Sequence, residues 1–179
     1  MKATGIVRRI DDLGRVVIPK EIRRTMRIRE GDPLEIYTSR DGEVIFKKYS
    51  LMGGLDDFAA QFCETLSKSC NSITAVTDRD SIIAVACGGK RELMGKRISS
   101  QLEQIMEDRK IYQHSDRDSR VFVTDTGEKF CAAVAAPIIC EGDVLGLVLF
   151  VAEGEPRTDE TEYKLAQTIA AFLGRHMES

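Results

Sequence analysis

The spacing of apolar residues changes character partway along the chain. Through Ser50 they come in short extended runs between turns. Ile6 to Ile10 is β-rich, Asp11-Asp12-Leu13-Gly14 is a turn, and Arg15-Val16-Val17-Ile18 reads as a second short strand. Pro19 fits the first position of a helix, where its missing N–H costs nothing, and Lys20 to Met26 supplies about two turns. Gly31-Asp32-Pro33 interrupts the chain. Leu34 to Ser39 and Glu43 to Lys48 predict two strands joined around Asp41-Gly42, a strong hairpin signal.

From Leu55 the period becomes helical, with Leu55, Phe58, Ala59, Phe62 and Leu66 on one face. Strands are predicted over Ile73 to Thr77 and Ser81 to Cys87, and a helix from Ser99 to Arg109. Three more strands follow, Val121 to Thr124, Cys131 to Ile139 and Val144 to Val151, the last two joined by the turn Cys140-Glu141-Gly142-Asp143. Thr158 or Asp159 is placed to cap a final helix whose apolar face is Leu165, Ile169, Phe172 and Leu173. Helix, two strands, helix, three strands, helix is α+β grammar: an antiparallel sheet with helices against it. Paired glycines in Ser50-Leu51-Met52-Gly53-Gly54 mark the junction. The expected organisation is a first domain over 1–50, a linker over 51–54 and a second domain over 55–179.

The first domain has a stability problem. A segment this short buries too little surface to be comfortable alone, its strands do not alternate cleanly, and four short strands leave open edges. Two copies closing one sheet between them solve both difficulties, so this domain is expected to be an obligate dimer.

Composition narrows the class. Of the 179 residues, 42% are hydrophobic and 31% charged, as in ordinary soluble domains. The opening MKATGIVRRIDD lacks the apolar stretch of a signal peptide. The longest strongly apolar run, Val144 to Ala152, suits a buried strand and falls far short of the roughly 20 residues of a spanning helix. A cytoplasmic protein without membrane contact is expected. The five cysteines, Cys63, Cys70, Cys87, Cys131 and Cys140, are odd in number and none has Cys-x-x-Cys spacing, which argues against a disulfide framework and a zinc site. Four of the five sit among apolar or small residues, as in Val85-Ala86-Cys87 and Phe130-Cys131-Ala132, and read as small core residues. No cofactor and no metal are expected.

Charge is unevenly spread. Residues 1–50 hold 12 Lys+Arg against 8 Asp+Glu, or +4, and the remaining 14 against 21 give −7. Within residues 1–29 nine basic residues face three acidic ones. A basic front on an acidic body points to an anionic partner for the front alone. On the predicted elements, Arg8 and Arg9 lie on the first strand and Arg15 just beyond the Gly14 turn. Lys20, Arg23, Arg24 and Arg27 surround the short helix away from Ile22 and Met26. Guanidinium groups hold phosphates bidentately and read guanine edges, and duplex DNA matches a repeating array of cations. A solvated charged face is the competing reading, and RNA or an acidic protein satisfies the same charge.

Thr4 to Tyr49, through its Gly-Arg-Val-Val-Ile-Pro core and the following Arg-Arg pair, resembles the bacterial transition-state regulator domain typified by AbrB. The resemblance implies a dimeric swapped-hairpin β-barrel that binds double-stranded DNA in a degenerate, shape-sensitive way. It implies DNA contact for Arg8, Arg15, Arg23 and Arg24, while Arg9, Lys20 and Arg27 join them from charge geometry alone. Ala132 to Gly154 resembles the closing hairpin of GAF domains, with a Pro-bearing strand, a Gly turn and an apolar strand carrying one Gly. That implies a six-stranded sheet with flanking helices, used for small-molecule sensing or as a dimer module. The chain as a whole resembles regulators of sporulation genes that fuse the two domains and both activate and repress. With dimers at both ends of such a chain, a homotetramer closes by symmetry if each end pairs with a different partner chain, and that is the expected assembly.

No ligand code marks the second domain. Gly88 to Gly95 and His114 to Arg120 offer pocket walls, the latter reading as a solvated loop. Gly88-Gly89-Lys90 lacks the length and the Ser/Thr of a phosphate loop. Any small-molecule effector is unidentified. The rival classes are a GAF-type thiol enzyme, with Cys87 and Cys131 neighbours on adjacent strands, and a toxin–antitoxin-type DNA-binding protein. The cysteines have apolar flanks and no base, and His114 and His176 join no catalytic constellation. A patterned C-terminal domain replaces the tail of an antitoxin. The expectation is a regulator without enzymatic activity.

Overall fold

The computed structural model describes residues 4–49, 52, 56–117, 119–157 and 159–177. The chain divides into two compact units, Met1–Tyr49 and Ser50–Ser179. The predicted junction lies outside the described residues except Met52, which is buried in the core of the second unit.

In the first unit the turn at Asp11–Gly14 forms, closed by Gly14 N donating to Asp11 O at 3.0 Å. The strands expected on either side of it do not. Neither 6–10 nor 15–18 carries strand structure. An extended segment becomes a strand only when another edge accepts its hydrogen bonds, and here the one ladder-like bond is Asp11 N to Arg15 O. Helix α1 (Lys20–Met26) starts one place later than expected, with Pro19 as its N-cap and the Pro19 carbonyl accepting from Arg23 N. It stops at Arg27, in the left-handed region at φ 50°, where Ile28 N returns to Arg23 O at 2.8 Å. The predicted hairpin is present as β1 (Leu34–Thr38) and β2 (Val44–Lys48), paired antiparallel with Ile36 opposite Phe46. Gly42 at φ 80° takes the left-handed position its turn requires.

Polar contacts, not an apolar core, tie these pieces together. The Lys48 ammonium donates to Arg27 O at 2.9 Å and lies 3.6 Å from the Asp32 carboxylate. Asp32, whose side chain is 3% exposed although its residue as a whole is half-buried, also accepts from Arg29 N. Among the described residues of this unit only Pro19 is buried. Ile10, Leu13, Val17 and Ile36 are exposed, and Val7 is 86% exposed.

The second unit holds a six-stranded antiparallel sheet, consistent with the α+β expectation. Its elements are α2 (Asp56–Cys70), β3 (Ile73–Thr77), β4 (Ile82–Ala86), α3 (Lys90–Leu93), α4 (Ser100–Asp108), β5 (Tyr112–Gln113), β6 (Phe122–Thr124), β7 (Gly127–Cys140), β8 (Asp143–Glu153) and α5 (Glu160–His176). The strand order is β4-β3-β8-β7-β5, with β6 also on β7. The β7/β8 hairpin is the spine, and the apolar run that marked β8 is buried on both faces. Alternate residues send Val134, Ala136, Val148 and Phe150 to α2 and α5, and Ala135, Leu147 and Leu149 to α4 and the α3 loop.

Helix starts follow local capping chemistry. Ser99 Oγ accepts from Leu102 N at 3.1 Å and donates to Phe122 O at 2.6 Å. Asp159 caps α5 by accepting from Glu162 N at 2.8 Å, while Thr158 lies outside the described residues. So does Leu55, the first residue of the predicted apolar face. The one-turn α3 and the two-residue β5 are too short to show a period and were not foreseen. Among the cysteines, Cys63 and Cys131 are buried as expected, and burial pushes the Cys63 thiol up to about 12. Cys70 and Cys140 are half-buried, and Cys87 is exposed at φ 67°, so it is no core residue. No helix of the described residues is long and apolar enough to cross a membrane.

Two sites test this packing. Gly174, buried in α5, faces Ile139 so closely that an added Cβ would overlap the Ile139 carbonyl oxygen. Gly→Ala in an open helix position stabilises by about 1 kcal/mol; Gly174→Ala is instead expected to destabilise by about 1–3 kcal/mol in urea unfolding, and a stabilised variant contradicts the contact. The Glu162 carboxyl accepts from Ser72 Oγ at 2.6 Å, but its second oxygen is buried without a partner. Burial pushes this carboxyl above its usual range. The folded form therefore holds the proton more tightly than the unfolded chain, and this stabilisation is lost as pH rises through the folded value. Glu162→Gln is expected to raise the melting temperature at pH 8 while leaving it nearly unchanged at pH 4; a lower value at pH 8 contradicts the burial cost.

Candidate nucleic-acid interface

The basic side chains sit on the arm before the Asp11–Gly14 turn, just beyond that turn, and on α1. Arg15 leaves the turn under control of Asp11. One Asp11 oxygen accepts from Arg15 N at 2.7 Å and from Leu13 N at 3.0 Å, and the other accepts from Arg15 Nε at 2.8 Å. The Arg15 backbone bond, then its side-chain bond, hold the Asp11 carboxyl below its usual range. Arg15 stays 69% exposed, so it is aimed without being consumed. The Asp11–Arg15 spacing was visible in the sequence, but its orienting role was missed.

On α1, Lys20, Arg23 and Arg24 are exposed. Lys20 and Arg24 are four residues apart, a spacing at which like charges repel. Lys20 also stands at the helix N-terminus, where the backbone dipole disfavours a cation. Arg8 and Arg9 are exposed on the arm before the turn. Among the described residues, none of Arg8, Arg9, Lys20, Arg23 and Arg24 has an ion pair. Arg27 differs. It is the half-buried left-handed residue that ends α1, and its carbonyl anchors Lys48.

In the second unit several expectations are corrected. Phe58 and Phe172, placed on inward faces by periodicity, are partly outside, Phe172 at 48%. With Phe62 and His176 they form an aromatic seam along α2 and α5. Phe62 meets Phe172 edge-on at 5.4 Å, and His176 lies 5.1 Å from Phe58 and stacks on Phe172 at 6.0 Å. His114, expected in a solvated loop, is buried, with its backbone N–H on Ala133 O and its ring 3.2 Å from the Tyr112 hydroxyl. Cys87 and Cys131 are not on neighbouring strands. Cys87 follows β4, Cys131 lies in β7, and β3 and β8 intervene. At about 4.8 Å per strand, three strand spacings separate the two positions.

Comparison with known proteins matches two stretches of the chain to two families. Residues 54–178 match the family described as stage V sporulation protein T C-terminal, transcription factor, and residues 7–51 match the antidote-toxin recognition family of the MazE bacterial antitoxin. Stage V sporulation protein T of Bacillus subtilis is 48% identical over 99% of this chain and 99% of its own length. The transition state regulatory protein AbrB of the same organism is 63% identical over 27% of this chain and 50% of its own. In fold, the second unit is similar to a type II free methionine-R-sulfoxide reductase from Thermoplasma acidophilum. That match has a TM-score of 0.55 at 9% identity and spans 71% of this chain and 94% of that one.

Proposed function

The chain belongs to the stage V sporulation protein T family of transcription factors, and from that membership we propose how it works. Residues 1–50 form the domain that binds double-stranded DNA, 51–54 the linker, and 55–179 a regulatory and oligomerisation domain. The observation that carries this reading is the set of five exposed cations, without ion pairs among the described residues, on the arm and helix of the first unit. Arg8, Arg9, Arg15, Lys20, Arg23 and Arg24 contact the duplex, Asp11 aims Arg15, and Arg27 holds the end of α1 in place beside them.

A second copy completes the domain. The exposed apolar side chains of Val7, Ile10, Val16, Val17 and Ile36 need cover, and the unpaired arms around residues 6–10 and 15–18 need edges. Exchange of these arms between two chains supplies both and closes a swapped-hairpin barrel, which doubles the basic face. The aromatic seam of Phe58, Phe62, Phe172 and His176 joins a second pair of copies, giving a homotetramer that regulates cytoplasmic sporulation promoters by activation and repression. The second unit acts without catalysis. Burial disfavours the thiolate of Cys63, and Cys87 and Cys131 are too far apart to exchange electrons as a pair.

Two measurements test this. Titrating duplex DNA against salt is expected to give a steep log–log slope. A folded Arg8/Arg15/Arg23/Arg24→Ala variant should flatten that slope by about 0.9 for each phosphate it no longer neutralises. Equal slopes for variant and parent refute the arginine assignment. Light scattering at micromolar protein is expected to report a tetramer that Phe172→Glu converts to a dimer; a dimer from the unaltered chain refutes the seam.

A further inference from the structure

A second set of unpaired cations lies in the other unit. Arg109 and Arg175 line one pocket of about 390 Å³ at the free edge of β7, beyond the point where β5 stops pairing. Among the described residues neither has an ion pair. Gln167 lies two turns before Arg175 on the same face of α5. The floor is apolar, with Ile111, Pro137 and Ala170.

The surrounding backbone fixes where the two arginines leave the chain. The overlap that a Cβ at Gly174 would cause shows the last turns of α5 seated directly on Ile139 at the end of β7. Arg109 is the residue that ends α4, in the left-handed region at φ 55°, with its N–H on Met106 O. Glycine is the usual occupant of that position, because a side chain there is strained. Two cations are thus held beside one cavity by independent elements, in a lining otherwise made of a neutral amide and aliphatic carbon.

We propose that this pocket binds a small organic dianion, a dicarboxylate or a phosphate monoester with a short aliphatic body. Two guanidinium groups match two negative charges and form bidentate contacts with carboxylate or phosphate oxygens. Gln167 donates or accepts at a hydroxyl or an oxygen, and Ile111, Pro137 and Ala170 cover methylenes. The volume lies at the lower end of the roughly 300–1,000 Å³ typical of ligand pockets, which restricts the occupant to a small metabolite. The site deepens the regulatory reading of the second unit by giving it a ligand class; binding itself does not depend on that reading.

Calorimetric titration of the full chain with glutarate, glycerol 3-phosphate and acetate tests the proposal. Glutarate or glycerol 3-phosphate is expected to bind, the responsive probe identifying the anion as carboxylate or phosphate, and acetate more weakly than either. Arg109→Gln and Arg175→Gln, both at exposed positions, should each weaken binding about tenfold or more. An Arg15→Ala/Arg24→Ala variant should leave it unchanged. The proposal is overturned if neither dianion binds at concentrations up to about 10 mM, or if acetate binds as tightly. It is equally overturned if the Gln variants bind undiminished or if affinity falls in the Arg15/Arg24 variant instead. Duplex binding by Arg109→Gln without added anion should equal that of the parent chain, so this result is read separately from the DNA titration.

Discussion

Burial of apolar surface is divided unequally between the two units, and most of what each unit does follows from that division. In the second unit β7 and β8 lie at the middle of a sheet covered on both faces, so their side chains leave water in alternation towards two helix layers. In the first unit the same kinds of residue, Val7, Ile10, Val17 and Ile36, remain exposed. At roughly 25 cal/mol per Å² of apolar surface, side chains of this size forgo about 1.5–3 kcal/mol each when left in water. Such a unit is held by its turn, its helix stop and the Lys48–Asp32 contact, and its apolar surface is available to another chain.

Electrostatics separates positions with structural and with external uses. Asp11 with Arg15 and Asp32 with Lys48 are pairs in which a carboxylate also accepts backbone hydrogen bonds, so each organises local chain geometry. A solvent-facing pair such as Asp11–Arg15 contributes little stability, and its effect lies in direction. The cations left over, on the arm and on α1, carry mutual repulsion that the protein itself does not relieve. An external polyanion would relieve it, which is the physical reason for proposing this face as the one that meets DNA.

The second unit shows how close approach creates surfaces. Gly146 lets β8 pass the Thr77 carbonyl and Gly174 lets α5 reach Ile139. The tight seat of α5 leaves Phe172 and His176 on one side of the helix and Gln167 and Arg175 on another. One helix therefore borders both the aromatic seam and the arginine pocket, while Glu162 at its start carries the cost of a buried carboxyl.

Local chemistry was legible in the sequence. The helix starts at Ser99 and at Thr158 or Asp159 were readable because a side-chain oxygen there satisfies a backbone N–H within three residues, as Ser99 and Asp159 do. Asp41-Gly42 announced a hairpin because its turn needs a left-handed residue, and the basic front was plain from counting charges. The family resemblance in residues 4–49 implied the DNA-binding class from sequence alone. What depended on distant chain segments was not legible. The arms at 6–10 and 15–18 lack a ladder because strand structure belongs to a pair of edges and not to a segment. Cys87 and Cys131 are separated because β3 and β8 insert between β4 and β7, a strand order that no local period encodes. The burial of His114, the outward turn of Phe172 and the shared pocket of Arg109 and Arg175 are decided where α5 and β5 dock on β7, and that of Phe58 where α2 meets β4, β3 and α5. Periodicity, caps and turns are energies of neighbours in sequence, whereas these contacts are set by packing between elements far apart along the chain.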